Sequence, residues 1–113
     1  MSISFQELAQ DCVSFQTLSN MQPNQLCCMH SNNIVKSCSD NSPIHGQVVA
    51  VRSGVASVVV RGFITAGYSG TAPPVGFCPL VAYNNKSVKV SDGAKEYLVV
   101  NVDTTNKTVC FML

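Results

Sequence analysis

The chain contains no tryptophan and few charges. Only 12% of its 113 residues are charged, which is about half the share of a typical soluble protein. The net charge is +1, and no run of Lys or Arg is present that could neutralise a phosphate backbone. We therefore expect no nucleic-acid partner. A surface so poor in charge favours contact with other proteins or with further copies of the chain.

Targeting and membrane signals are also missing from the sequence. The first eight residues lack the basic region and the apolar run of a secretory signal. Each strand-like segment is interrupted by Asn, Asp, Lys or Gly, and no apolar run approaches the ~20 residues that span a bilayer. We therefore expect a soluble protein with no membrane partner.

Catalytic motifs are the third absence. The chain has two histidines, His30 and His45, and neither belongs to a GxSxG motif or to a cysteine-protease signature. The carboxylates are scattered, with no pair that a hydrolytic mechanism would need. Gly67, Gly70 and Gly76 match neither phosphate-binding glycine pattern. We therefore expect no enzyme, no catalytic residues and no cofactor.

Six cysteines are many for this length and allow two interpretations. They stand at positions 12, 27, 28, 38, 78 and 110. Without an export signal, most of them read as small buried hydrophobic residues with reduced thiols. The alternative is a small zinc-binding domain built from Cys27, Cys28, His30 and Cys38. The spacing is not the CxxC pair of a zinc site, and adjacent residues of a strand face opposite ways, so we expect no metal.

Hydrophobic alternation and turn residues predict an all-β fold. Turn signals recur roughly every 8 to 12 residues, as in sandwiches and barrels. We predict one compact β-barrel or sandwich of antiparallel hairpins over residues 12–113, an N-terminal arm over residues 1–11, little helix and no internal repeat. Gly62 is predicted to form a bulge within one strand. The predicted strands cover residues 12–17, 25–30, 33–37, 46–52, 55–65, 78–83, 87–90, 95–102 and 108–113.

Two segments are candidates for contact with a partner. The arm carries three apolar residues, Ile3, Phe5 and Leu8. The loop that follows residue 67 contains an aromatic residue and a Pro-Pro pair, and a rigid loop of this kind can insert into a partner at small entropic cost. Alternatively, the prolines only shape a crossover between sheets. The candidate contact residues of the loop are Tyr68, Thr71, Pro73, Pro74 and Val75.

The order of these segments resembles a known family. The run 59–65, the loop 68–76, the strand 96–103 and the last strand 109–113 are similar to the small capsid decoration, or head-cement, proteins of tailed bacteriophages. The resemblance covers about the last 65 residues well and residues 12–50 only loosely. Its motifs are strand and loop patterns and carry no catalytic residue.

The resemblance implies a non-enzymatic function. Proteins of that family assemble as trimers on the outside of the expanded head and stabilise contacts between major-capsid subunits. It implies a homotrimer, the major capsid protein as partner, and a place on the outer surface of the virion after assembly in the host cytoplasm. The apolar arm could add a strand to an exposed capsid sheet edge. The alternative from the same structural class is a tail or baseplate component.

Overall fold

The computed structural model describes residues 10–113, and its secondary structure confirms the predicted all-β fold. Residues 10–113 contain no helix, and therefore no helical segment long enough to cross a membrane. Ten strands follow along this stretch: β1 (Asp11–Thr17), β2 (Leu26–Ser31), β3 (Ile34–Ser37), β4 (Gly46–Arg52), β5 (Val55–Arg61), β6 (Phe63–Tyr68), β7 (Gly76–Ala82), β8 (Ser87–Val90), β9 (Glu96–Asp103) and β10 (Thr108–Met112).

The strands close into two five-stranded barrels. Barrel 1 runs β1, β3, β2, β4, β5 and back to β1, and barrel 2 runs β6, β8, β7, β9, β10 and back to β6. In each barrel the first and third strands pair in parallel, and the other neighbours pair antiparallel. A closed barrel has no open strand edge. The described part of the chain must therefore contact partners through its outer faces and loops.

The two barrels have the same topology, strand for strand. In barrel 1 a β-bulge places Val49 out of register on the fourth strand, and in barrel 2 Val100 occupies the equivalent position with the same irregularity. Three backbone hydrogen bonds of the first strand also recur. In barrel 1 they run from Gln16 N to Asn33 O, Thr17 N to Gly54 O and Leu18 N to Val35 O, and in barrel 2 from Gly67 N to Lys86 O, Tyr68 N to Lys107 O and Ser69 N to Val88 O.

The prediction of no internal repeat is therefore wrong. A barrel of this kind is specified by the positions of its turns and by the alternation of buried and exposed residues, and many different residues satisfy both. Only short identical pairs mark the relation in sequence, such as Val48-Val49 with Val99-Val100 in the fourth strands. These pairs are too common among strands to indicate a repeat.

The hydrophobic core joins the barrels into one body. One buried cluster lies inside barrel 1 and contains Met21, Cys27, Val35, Val48, Ala56 and Val58. The larger cluster fills barrel 2 and extends to barrel 1 residues at the junction, Leu26, Cys28, Cys38, Ile44 and Val59. The Tyr97 hydroxyl donates to the Ile44 carbonyl across the junction at 3.1 Å. The radius of gyration of 13.3 Å is that of a single domain of this length.

Gly62 separates the two barrels. The sequence predicts one strand over residues 55–65 with a bulge at this glycine, but the structure has β5 ending at Arg61 and β6 beginning at Phe63. Gly62 is buried and has a φ of 121°, a backbone conformation that residues other than glycine rarely adopt. The chain turns here from one barrel into the next, so residues 54–113 carry six strands where five are predicted. The hairpin turn at Ser53 and Gly54 is confirmed, with φ of 53° and 77°.

Candidate binding surfaces

The loop between β6 and β7 has a buried base and an exposed tip. Tyr68 is 8% exposed and packs in the larger core cluster, and Pro73, five residues further along the chain, is also buried. Thr71 and Pro74 are exposed, and Val75 is 70% exposed. The expectation that the Tyr68 ring inserts into a partner does not fit this burial, because the ring contributes to the core of barrel 2. The structure leaves Thr71, Pro74 and Val75 as the accessible residues of the predicted loop site.

The predicted arm site lies outside the described residues. Ile3, Phe5 and Leu8 all precede residue 10, where the description begins. The Gln10 side chain donates from Nε2 to the carbonyl of Phe63 at 2.9 Å. The chain therefore enters β1 beside the first residue of barrel 2.

An apolar row crosses four strands on the outside of barrel 2. Phe77 lies opposite Leu98, Leu98 opposite Met112, and Met112 opposite Phe63. Directly opposed residues point to the same face of a sheet. Phe77 is 70% exposed and Met112 is 38% exposed. We call these four residues the outer row.

A shallow groove runs along the outer row. It has a volume of about 240 Å³ and is lined by Phe77, Leu98 and Met112 together with Lys95 and Glu96. Large apolar side chains beside a groove are a common feature of protein contact sites. This site has only a weak signal in the sequence. Hydrophobic residues occupy both faces of β9, and this pattern reads as a strand buried on both sides.

The same row exists on barrel 1, where three of its four members are buried and Cys12 is exposed. Its members are Leu26, Gln47, Val59 and Cys12, paired in the same order across the equivalent strands. Leu26 is 0% exposed, Val59 1% and Gln47 8%, because barrel 2 packs on them. The Gln47 side chain donates from Nε2 to Thr65 O at 2.9 Å, and Leu26 N donates to Asn85 O at 2.7 Å. One molecule thus contains this row twice, with Leu26, Gln47 and Val59 buried in barrel 1 and with Phe77 and Met112 exposed in barrel 2.

The cysteines have the burial of core residues. Five of the six are buried and Cys12 is exposed, which confirms that most of them serve as small hydrophobic residues. Burial raises the pKa of the Cys27 thiol to about 12, and the neighbouring Cys28 adds to this effect. Burial also raises the pKa of the Cys38 thiol, and the nearby Cys28 and Cys27 add to this effect. Thiols with raised pKa values stay protonated at neutral pH and are weak nucleophiles and metal ligands.

The zinc alternative gains no support within the described residues. Cys27 faces the interior of barrel 1 and Cys28 belongs to the larger cluster, so the two adjacent side chains point to opposite sides of β2. Among residues 10–113 no three His, Cys, Asp or Glu side chains are arranged to hold a metal ion. The fourth candidate ligand, His30, is exposed on β2.

The second histidine has a structural contact. His45 lies just before β4 and accepts a hydrogen bond on Nδ1 from the Met29 backbone N–H at 2.9 Å. This contact assigns the ring proton to Nε2 in the neutral form. The imidazole thereby satisfies a backbone donor of β2.

Comparison with known proteins gives no further guide to the site. No protein-family model matches the chain, and no curated protein matches it. The functional argument therefore depends on the surfaces described above.

Proposed function

We propose that this protein is a non-enzymatic capsid decoration protein of a tailed bacteriophage, which binds the outside of the expanded head and stabilises contacts between major-capsid subunits. The observation that supports this proposal best is the loop between β6 and β7. Its base is fixed by buried Tyr68 and Pro73, while its tip presents Val75 at 70% exposure. A loop held in one conformation before binding loses little entropy on contact.

The rest of the surface suits repeated adhesion to a shell. Each barrel is closed, so residues 10–113 present no strand edge that would add indiscriminately to other sheets. Only 12% of the residues are charged, so much of the surface is neutral. Several copies held together on the head, as in the predicted homotrimer, would gain avidity from weak individual contacts.

Co-sedimentation tests this proposal directly. The probe is a preparation of expanded empty heads from the phage that encodes the chain, mixed with wild-type protein, Val75→Asp or Val49→Asp. Val49 is also exposed, at 48%, but lies on the β4 bulge of the other barrel. We expect the wild type and Val49→Asp to bind in fixed stoichiometry and Val75→Asp to bind at least about tenfold more weakly, because a carboxylate loses its hydration in the contact.

The outcomes separate the two virion functions. Wild-type protein that stays in the supernatant with empty heads would refute the capsid proposal. Immunogold labelling of whole phage particles then locates the protein if it is structural. Label on the tail or baseplate, with bare heads, would establish the alternative function.

A further inference from the structure

We propose that the outer row of barrel 2 binds barrel 1 of a second copy, and that this contact repeats the one already made between the barrels within each chain. The proposal does not depend on capsid binding. Its starting point is that three of the four residues in the equivalent row of barrel 1 are buried under barrel 2, with Leu26 at 0% and Val59 at 1% exposure. In barrel 2 the equivalent positions are Phe77 and Met112, at 70% and 38% exposure.

The surface that would cover the outer row is present and accessible on barrel 1. Within the chain, barrel 2 covers the row of barrel 1 with β6 at Thr65 and with the β7–β8 turn at Asn85. The equivalent positions of barrel 1 are Ser14 on β1 and Asn32 in the β2–β3 turn, matched through the pairing of β1 with β5 and through the β2–β3 hairpin. The segment from the row to this turn is two residues longer in barrel 2, from Phe77 to Asn85, than in barrel 1, from Leu26 to Asn32. Both residues are exposed. The pairs are also chemically alike, with a hydroxyl side chain in the strand and an asparagine in the turn.

The outer row is better suited to a hydrophobic contact than the row already filled. Gln47 of barrel 1 is replaced by Leu98 in barrel 2, and Cys12 by Phe63. Apolar area removed from water is the main favourable term in protein association. The net charge of +1 gives little repulsion between copies.

The proposed contact is heterologous. Each copy offers one outer row and one Ser14–Asn32 surface, so a copy can bind a neighbour at each end. Copies joined in this way form a closed ring if the rotation between them closes, and a chain if it does not. Mutations of the two surfaces should therefore be complementary, which a symmetric contact would not allow.

The experiment uses light scattering after size-exclusion chromatography over a range of concentrations, without capsids. Phe77→Asp damages the outer row, Ser14→Arg damages the opposite surface, and Val49→Asp is the control for an added charge. Circular dichroism checks that every variant keeps its strands. We expect the wild type and Val49→Asp to associate, and Phe77→Asp and Ser14→Arg each to remain at the monomer mass of 12.1 kDa.

The decisive sample is an equimolar mixture of Phe77→Asp and Ser14→Arg. The intact outer row of one variant meets the intact Ser14–Asn32 surface of the other, so we expect a heterodimer of twice the 12.1 kDa chain mass and no larger species. A mixture that stays monomeric while the wild type associates would refute the proposal. If Ser14→Arg associates as strongly as the wild type, the outer rows of two copies contact each other symmetrically. That result would also refute the proposal.

One further result would overturn the inference. A wild type that is monomeric at all concentrations shows that no second copy occupies the row. If deletion of residues 1–9 then produces association, the chain's own N-terminal segment is the occupant. Association that follows the predicted pattern in a protein that does not bind heads would refute the capsid function and leave this contact established.

Discussion

Truncation of two equivalent residues tests the relation between the barrels in one measurement. Leu26 and Phe77 occupy the same position of the two rows, but Leu26 is 0% exposed and Phe77 is 70% exposed. Leu26→Ala removes a fully buried side chain at the junction and should cost about 2–5 kcal/mol of the free energy of unfolding. Phe77→Ala removes a side chain of which less than a third is buried, so about 0.5–1 kcal/mol is expected for the monomer.

Thermal or urea unfolding at low protein concentration measures both losses. At roughly 4 °C per kcal/mol for a domain of this length, Leu26→Ala should lower the Tm by roughly 8–20 °C and Phe77→Ala by only a few degrees. At high concentration the wild type gains stability from association, and Phe77→Ala should lack that gain. Equal losses for the two variants at low concentration would refute the assignment of Leu26 to a filled row and of Phe77 to an open one.

Three further predictions concern the junction, the thiols and the arm. Tyr97→Phe removes the buried hydrogen bond to the Ile44 carbonyl and should cost about 1–2 kcal/mol in urea unfolding, whereas Tyr83→Phe, at an exposed site, should change little. In reducing buffer the free energy of unfolding should fall as the pH rises from 9 towards 12, because the Cys27 thiol keeps its proton in the folded state while the unfolded chain releases it near pH 9.0. Cys27→Ala should reduce that slope by up to about 1.4 kcal/mol per pH unit, and an unchanged slope would refute this assignment. Deletion of residues 1–9 should leave the strand circular dichroism intact and weaken binding to empty heads, and unchanged head occupancy would contradict a role for the arm.

The local elements of the fold could be predicted from the sequence. Asn and Gly at turn positions, with hydrophobic alternation on either side, located hairpins such as β4–β5, where Ser53 and Gly54 both adopt positive φ. These signals act over a few residues and depend on backbone sterics. The burial of most cysteines was also predictable, because their neighbours are strand residues.

The long-range features could not be predicted in the same way. Closure of each barrel depends on a short parallel pairing between its first and third strands. In barrel 1 this pairing joins Gln16 and Thr17 to Ile34 and Val35, and no local signal in the sequence specifies it. Gly62 marks an irregularity within the strand predicted over residues 55–65, but only the change of barrel shows that the strand ends there. The outer row was missed because Leu98 looks like a core residue in sequence, whereas in the structure it is only partly buried.

Sedimentation equilibrium of the unmodified protein, run from low to high micromolar concentration without capsids, tests most directly whether this molecule acts by adhesion through its outer row. We predict a weight-average mass that rises with concentration above the 12.1 kDa of one chain and that returns to it on substitution of Phe77 by Asp. A wild-type mass that stays at the monomer value across the whole range would contradict the account.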